Sequence, residues 1–244
     1  MRYKLCISYD GTPFCGWQRQ KSGPSIQQTI EEALAICLKK EITLFGSGRT
    51  DAGVHAYTQV AHFDFDDELN LYKLRESLNA LVRPHPISIK SVEIVPDDFH
   101  ARFSAKKRTY IYKIFNAPYP PALDDTRVWW YRHPLDVDKM QNAAQILVGK
   151  HDFSTFRASE CQAKSPIKTI DSITFEQQNE YVIMSITAKS FLHHQVRNII
   201  GSLVLVGANK WSQNDLKKAL ETKDRKAGGP TAPASGLYFY HIEY

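Results

Sequence analysis

No stretch of this chain approaches the roughly 20 consecutive apolar residues that a membrane-spanning helix needs, so a helical membrane protein is not expected. The opening Met1-Arg2-Tyr3-Lys4-Leu5-Cys6 carries no apolar core of the kind a secretory leader has. Cysteine is scarce: Cys6, Cys15, Cys37 and Cys161 are the only four, and none stand in C-x-x-C spacing. Without an export signal, that pattern reads as reduced thiols rather than a disulfide framework. Neither H-E-x-x-H nor any Cys/His ligand spacing is present, so no metal site is expected. His193-His194 is an adjacent pair, and adjacent residues on a helix point apart. There is no short-period repeat and no low-complexity tract. A soluble, cytoplasmic protein is the expectation.

The chain has 244 residues, 43% hydrophobic and 23% charged, which is ordinary globular composition and argues against disorder. Thirty-one Lys and Arg against 26 Asp and Glu leave a net charge of +5, which permits an acidic partner without demanding one. The placement of the charge is more informative. Arg102, Lys106, Lys107, Arg108 and Lys113 form a run with no acid among them, interleaved with Phe103, Tyr110 and Tyr112. Such runs are commonly solvated faces, but basic residues alternating with aromatics also grip unstacked bases and phosphates.

Residues 2–9 alternate as a strand. Ser25 opens a helix, with Gln28 at capping-box spacing and Ile26, Ile30, Leu34 and Cys37 on one stripe. A short strand is expected at Ile42–Phe45, then a longer one through Ala61, Phe63 and Phe65, with His62 and Asp64 on its other face. Leu71, Leu74, Leu78 and Leu81 mark a second helix stopped by Pro84, and Ile87–Val95 reads as a strand. The order is β-α-β-β-α-β.

The rest of the chain repeats that order more loosely. It has a strand at Thr109–Phe115 and a helix capped by Asp136, carrying Met140, Ala144 and Leu147 and ending at Gly149. A hairpin joins Ile170–Phe175 to Tyr181–Ala188 through Gln177–Glu180. Helical spacing runs from Phe191 to Val206, and a last strand covers Leu237–Tyr244. Two long irregular segments, Asn116–Arg127 and Lys223–Gly236, exceed the usual connection length and are candidates for function. The fold expected is α+β: two ferredoxin-like halves, 1–104 and 105–244, with mixed, mainly antiparallel sheets and a central binding cleft.

The segment Gly46-Ser47-Gly48-Arg49-Thr50-Asp51-Ala52-Gly53-Val54-His55-Ala56 invites a nucleotide-loop reading, which fails. A G-x-G-x-x-G fingerprint would need glycine where Asp51 stands, and a P-loop would need Lys-Ser/Thr where Val54-His55 stand. The residues after Gly53 have a strand pattern, not that of a helix whose N-terminus could hold phosphate. The loop is thus a tight one presenting one carboxylate, with Arg49 two residues away. It could equally be a turn with a surface ion pair.

Together with this loop, several segments resemble the bacterial tRNA pseudouridine synthase A family. They are Tyr9-Asp10-Gly11-Thr12, Phe14, Gly16-Trp17-Gln18-Arg19-Gln20, Ser25-Ile26-Gln27, Phe99-His100-Ala101-Arg102-Phe103 and Lys107-Arg108-Thr109-Tyr110-Ile111-Tyr112. Further along come His151-Asp152-Phe153-Ser154-Thr155-Phe156-Arg157, Val196-Arg197-Asn198-Ile199-Ile200-Gly201 and Thr231-Ala232-Pro233-Ala234-Ser235-Gly236-Leu237. The resemblance spans essentially the whole chain.

It implies isomerisation of uridine to pseudouridine at positions 38, 39 and 40 of the tRNA anticodon stem-loop, with no cofactor and no metal, by a homodimer. By the same resemblance Asp51 is the catalytic nucleophile and Arg197 pairs with it, holding it ionised. Tyr110 stacks on the base and is placed to take the C5 proton. Leu237 packs on the flipped base. Arg49 and Arg157 handle RNA, and Lys106, Lys107 and Arg108 hold phosphates. Tyr112 reads as core, whereas Trp17 and Gln18 fit either core or RNA. Two residues depart from the family pattern: Gln195 stands where Met is usual, and Lys168 where Arg is frequent. A non-catalytic RNA-binding module is the alternative, though it leaves a carboxylate in an RNA groove unexplained. A small-molecule glycosidase would need a second carboxylate that the sequence does not identify.

Overall fold

In the computed structural model, which describes residues 1–20 and 23–244, Tyr3, Leu5, Ile7 and Tyr9 alternate to the inner side of β1 (Arg2–Tyr9). That alternation aligns the apolar side chains on one face of a pleated strand. β1 lies between β4 (Ile87–Val95) and β3 (His55–Asp64), antiparallel to both. β1 occupies one edge of β3. The other edge is shared by β2 (Phe45–Gly46), opposite His62 and Ala61, and β10 (Leu237–Glu243), parallel to it at His55 and Ala56. The strand order 4-1-3-2 is that of a ferredoxin-like unit. Helices α1 (Ile26–Leu38) and α2 (Leu71–Leu81) pack against one another, and α2 lies along β4. This unit comprises Met1–Lys106 and Tyr238–Tyr244.

Ser25 caps α1, accepting a hydrogen bond from the Gln28 amide. The reciprocal half of the box is not made, because the Gln28 side chain reaches forward to Glu32. The expected strand at Ile42–Phe45 shortens to Phe45–Gly46 for a similar reason. Side chains of α1 satisfy the Leu44 backbone: its amide donates to Glu31 and its carbonyl accepts from Gln27. A backbone already paired with side chains has no groups left for a ladder.

The second unit, Lys107–Leu237, is built on β5 (Lys107–Phe115), β9 (Tyr181–Ala188), β8 (Ile167–Gln178) and β7 (Gly149–Asp152), antiparallel in that order. A short β6 (Trp129–Trp130) runs parallel to β5. α3 (Val137–Ala144), capped by Asp136, packs on α4 (Gln195–Gly207) and β8, and α5 (Gln213–Thr222) packs on α3 and α4. The α+β class with mixed, mainly antiparallel sheets is therefore the observed one. α4 starts at Gln195 rather than Phe191, because His194 takes a left-handed φ of 61° and cannot continue a helix. Among the described residues no helix is long and apolar enough to cross a membrane. The four cysteines are free.

Candidate active site

The loop carrying Asp51 is held from both sides. Asp51 to Val54 form a turn, with the Val54 amide donating to the Asp51 carbonyl at 3.1 Å. Gly53 sits third in that turn with φ +76°, a conformation that favours glycine. Behind it lies the Tyr9–Trp17 segment. A Cβ on Gly11 would overlap the Val54 carbonyl oxygen, and one on Gly16 (φ +114°) would lie 2.6 Å from the Thr50 carbonyl oxygen. The Trp17 amide donates to that same Thr50 carbonyl, and the Tyr9 hydroxyl meets the Thr50 hydroxyl at 2.8 Å. The Gly11 amide donates to Nδ1 of buried His55. Ahead of the turn, the Gln59 side chain, fully buried, bonds Ser47 and the Gly48 carbonyl. The two glycine-bearing motifs, some forty residues apart in sequence, are thus the two halves of one close backbone contact.

These contacts leave the Asp51 side chain half-buried and Arg49 exposed. Trp17 resolves as core: it is buried, with Gly46 against its indole and Tyr9 beside it at 6.1 Å. Gln18 is exposed.

In the second unit, Tyr110 is half-buried on β5, and Phe191 meets its ring edge-on at 5.3 Å. Tyr112, two residues on, is fully buried and donates to the Pro233 carbonyl at 2.7 Å. Burial pushes its phenol well above the ordinary value, although the positive charge of Arg197 works the other way.

Arg197 opens a set of anchors along one side of α4. Its Nε donates to the Ala232 carbonyl at 2.7 Å, and the Ala232 amide donates back to the Arg197 carbonyl. Asn198 accepts from Thr231 and Arg225 and donates to the Phe156 carbonyl. Gly201 lets the Pro230 carbonyl come into contact, and the Ser202 hydroxyl accepts from the Gly229 amide. Residues 229–232 are strapped onto the helix in register. Leu237, just beyond, is buried, and a Cβ on Gly236 before it would lie 2.6 Å from the Tyr112 ring.

The remaining candidates are dispersed. Lys106 and Lys107 are exposed, with the Lys106 ammonium on the Tyr244 carbonyl. Arg108 is buried and its guanidinium donates to the Lys189 carbonyl. Arg157 is half-buried near Asp152. Burial raises the Asp152 pKa, but hydrogen bonds from Ser154 and the charges of Lys223 and Arg157 outweigh it and bring the carboxyl below its usual value. A cavity of about 730 Å³ lined by His151, Asp152, Gln213, Asn214, Lys217 and Lys223 contains none of the candidate residues.

The structure corrects one expectation drawn from helical spacing. His193 and His194 do not point apart: His194 lies outside the helix, and the two ring centres are 4.0 Å apart. Sequence reasoning missed Asn198 and Gly201 as strap anchors, although a buried Asn in an apolar helix stripe is the signal that marks one.

Comparison with known proteins agrees with this framework along its length. A family model described as tRNA pseudouridine synthase matches residues 5–104 and 143–244. The chain is 51% identical over 243 residues to tRNA pseudouridine synthase A of Afipia carboxidovorans, covering 100% of this chain and 99% of that protein. It is 49% identical over 244 residues to tRNA pseudouridine synthase A of Rhodospirillum rubrum, covering 100% and 88%. A family model matching most of the chain, together with near-half identity over its full length to two such proteins, shows that the chain belongs to the tRNA pseudouridine synthase family.

Proposed function

We propose that this protein isomerises uridine to pseudouridine in tRNA, at positions 38, 39 and 40 of the anticodon stem-loop, with Asp51 as nucleophile. The observation that carries the reading is the near-half identity, over the entire chain, to two proteins named tRNA pseudouridine synthase A. The N1–C1′ bond of uridine breaks, the base turns, and a C5–C1′ bond forms. C5 loses a proton and N1 gains one, so the atoms balance without an external reactant. Asp51 attacks covalently and holds the detached fragment. Its loop, fixed at Thr50 and Val54, supports this role, since a nucleophile on a rigid turn arrives already oriented.

Tyr110 stacks on the base and takes the C5 proton, Arg197 supplies the cation that keeps the carboxylate charged, and Leu237 packs on the flipped base. Arg49 and Arg157 handle the RNA, and Lys106 and Lys107 contact phosphates. Arg108, also a phosphate candidate by sequence, is buried with its guanidinium on the Lys189 carbonyl. The first half, 1–104, brings the nucleophile and the second, 105–244, the tyrosine, arginine and leucine. The working form is a cytoplasmic homodimer.

The test is tritium release from tRNA labelled at uridine C5, with wild type and Asp51→Asn compared. Wild type releases tritium, and Asp51→Asn binds tRNA but releases none. Release by Asp51→Asn at the wild-type rate removes Asp51 from the chemistry. Binding without release by wild type leaves a non-catalytic RNA-binding module.

A further inference from the structure

The Phe99–Phe103 segment has no part in the roles assigned above, yet it builds a ring cluster at the far end of β3. The ring of His62 is stacked on Phe45 at 5.1 Å and meets His100 at 4.6 Å, and His100 meets Phe103 at 4.4 Å. Phe103 is 73% exposed and Phe45 is 45% exposed. The exposed Arg102 guanidinium lies 5.6 Å from the Phe103 ring centre.

Backbone amides hold the cluster in place. Ala101 donates to His62 Nδ1, and Arg102 and Phe103 both donate to His100 Nδ1. Both imidazoles act as acceptors and are therefore neutral. Burial lowers the pKa of each, His62 to about 4, with nearby positive groups adding to the effect. The nearest acid in the strand, Asp64, is already engaged by two nitrogens of Arg2. The face is thus apolar rings with the positive charge of Arg102 at its rim.

A single exposed phenylalanine would need no explanation. An ordered cluster of rings with a guanidinium at its rim is the chemistry that grips an unstacked base and its phosphate. We propose that Phe103, Phe45 and Arg102 form a second RNA contact, stacking one nucleobase of the tRNA substrate away from the reacting uridine. The proposal rests on the reading of tRNA as the substrate. His62 lies seven residues along β3 from His55, beside the Asp51 turn. That separation is roughly 23 Å at the rise of a strand.

The experiment measures tRNA affinity by fluorescence anisotropy with labelled tRNA, alongside tritium release, for wild type, Phe103→Ser, Phe103→Trp and Arg102→Gln. Phe103→Ser is expected to weaken binding and raise KM about tenfold, the loss of one base stack, with kcat within about twofold. Phe103→Trp keeps a stacking face and stays near wild type. Arg102→Gln lowers the slope of log affinity against log salt by about one. Unchanged affinity in Phe103→Ser overturns the proposal. So does a shift of Phe103→Ser from dimer to monomer in sedimentation, which assigns the rings to a second copy of the chain. Absence of tritium release by wild type counts against the proposed reaction alone, since anisotropy still reads the surface.

Discussion

The Asp51 loop and the 229–232 strap are both irregular backbone held rigid, but by different means. The loop is fixed by closeness: two glycines remove the side chains that would keep Tyr9–Trp17 away from Thr50 and Val54, and backbone groups then bond directly. The strap is fixed mainly by side chains of a single helix, Arg197, Asn198 and Ser202, with Gly201 allowing the approach. The first arrangement fails by steric strain, the second by leaving buried polar groups without partners.

Each of these modes can be tested. Gly11→Ala and Gly201→Ala carry the largest effects, each lowering stability in urea unfolding by about 3 kcal/mol, because a methyl group meets a fixed carbonyl. Gly201 makes the sharper case. Alanine is worth roughly 1 kcal/mol more than glycine inside a helix, so a stabilised Gly201→Ala would show that the strap yields easily.

Acid separates the ring cluster around His62 from the strap next. His62 stays neutral in the folded protein down to about 4, whereas an unfolded histidine takes a proton near 6.5. Between those values the unfolded state binds more protons. Stability is full above about 6.5 and falls as pH drops toward 4, by up to about 3 kcal/mol. Hydrogen exchange at the Ala101 amide should quicken in that window while the Gly229 and Ala232 amides stay protected, since their acceptors are a serine hydroxyl and a backbone carbonyl. Simultaneous loss would erase the distinction.

Asn198→Ala, which strips partners from Thr231, Arg225 and Phe156, should cost about 2 kcal/mol and loosen Gly229–Ala232 before Asp51–Val54 in hydrogen exchange. The smallest effect is Tyr112→Phe, about 1 kcal/mol for one buried hydrogen bond to Pro233; a change below roughly 0.3 kcal/mol would mean that the bond is not made in solution.

Periodicity and caps were legible in the residues themselves. The alternation of β1, the Ser25 and Asp136 caps, the Leu71–Leu81 stripe and the β8–β9 hairpin all arise from patterns within one element. The signal for α5 lies within the sequence too, in Ser212 and Asp215 at capping-box spacing. Hidden were the elements whose backbone partners lie far away in sequence: β2 was trimmed by Glu31 and Gln27, and β6 and β7 exist only because β5 and β8 accept them.

The candidate site divides along the same line. Sequence by itself determined which residues were candidates for chemistry: a carboxylate framed by glycines, a tyrosine within a basic strand, an arginine at the start of a buried helix. Only the tertiary structure decided that Gly11 and Gly16 back the Asp51 turn, that Trp17 is core, that Arg108 points its charge inward, and that His193 and His194 meet. A local pattern records what one segment prefers. Which distant carbonyl satisfies a buried amide, and which side chain must be absent to let it approach, is settled only when both segments are in place.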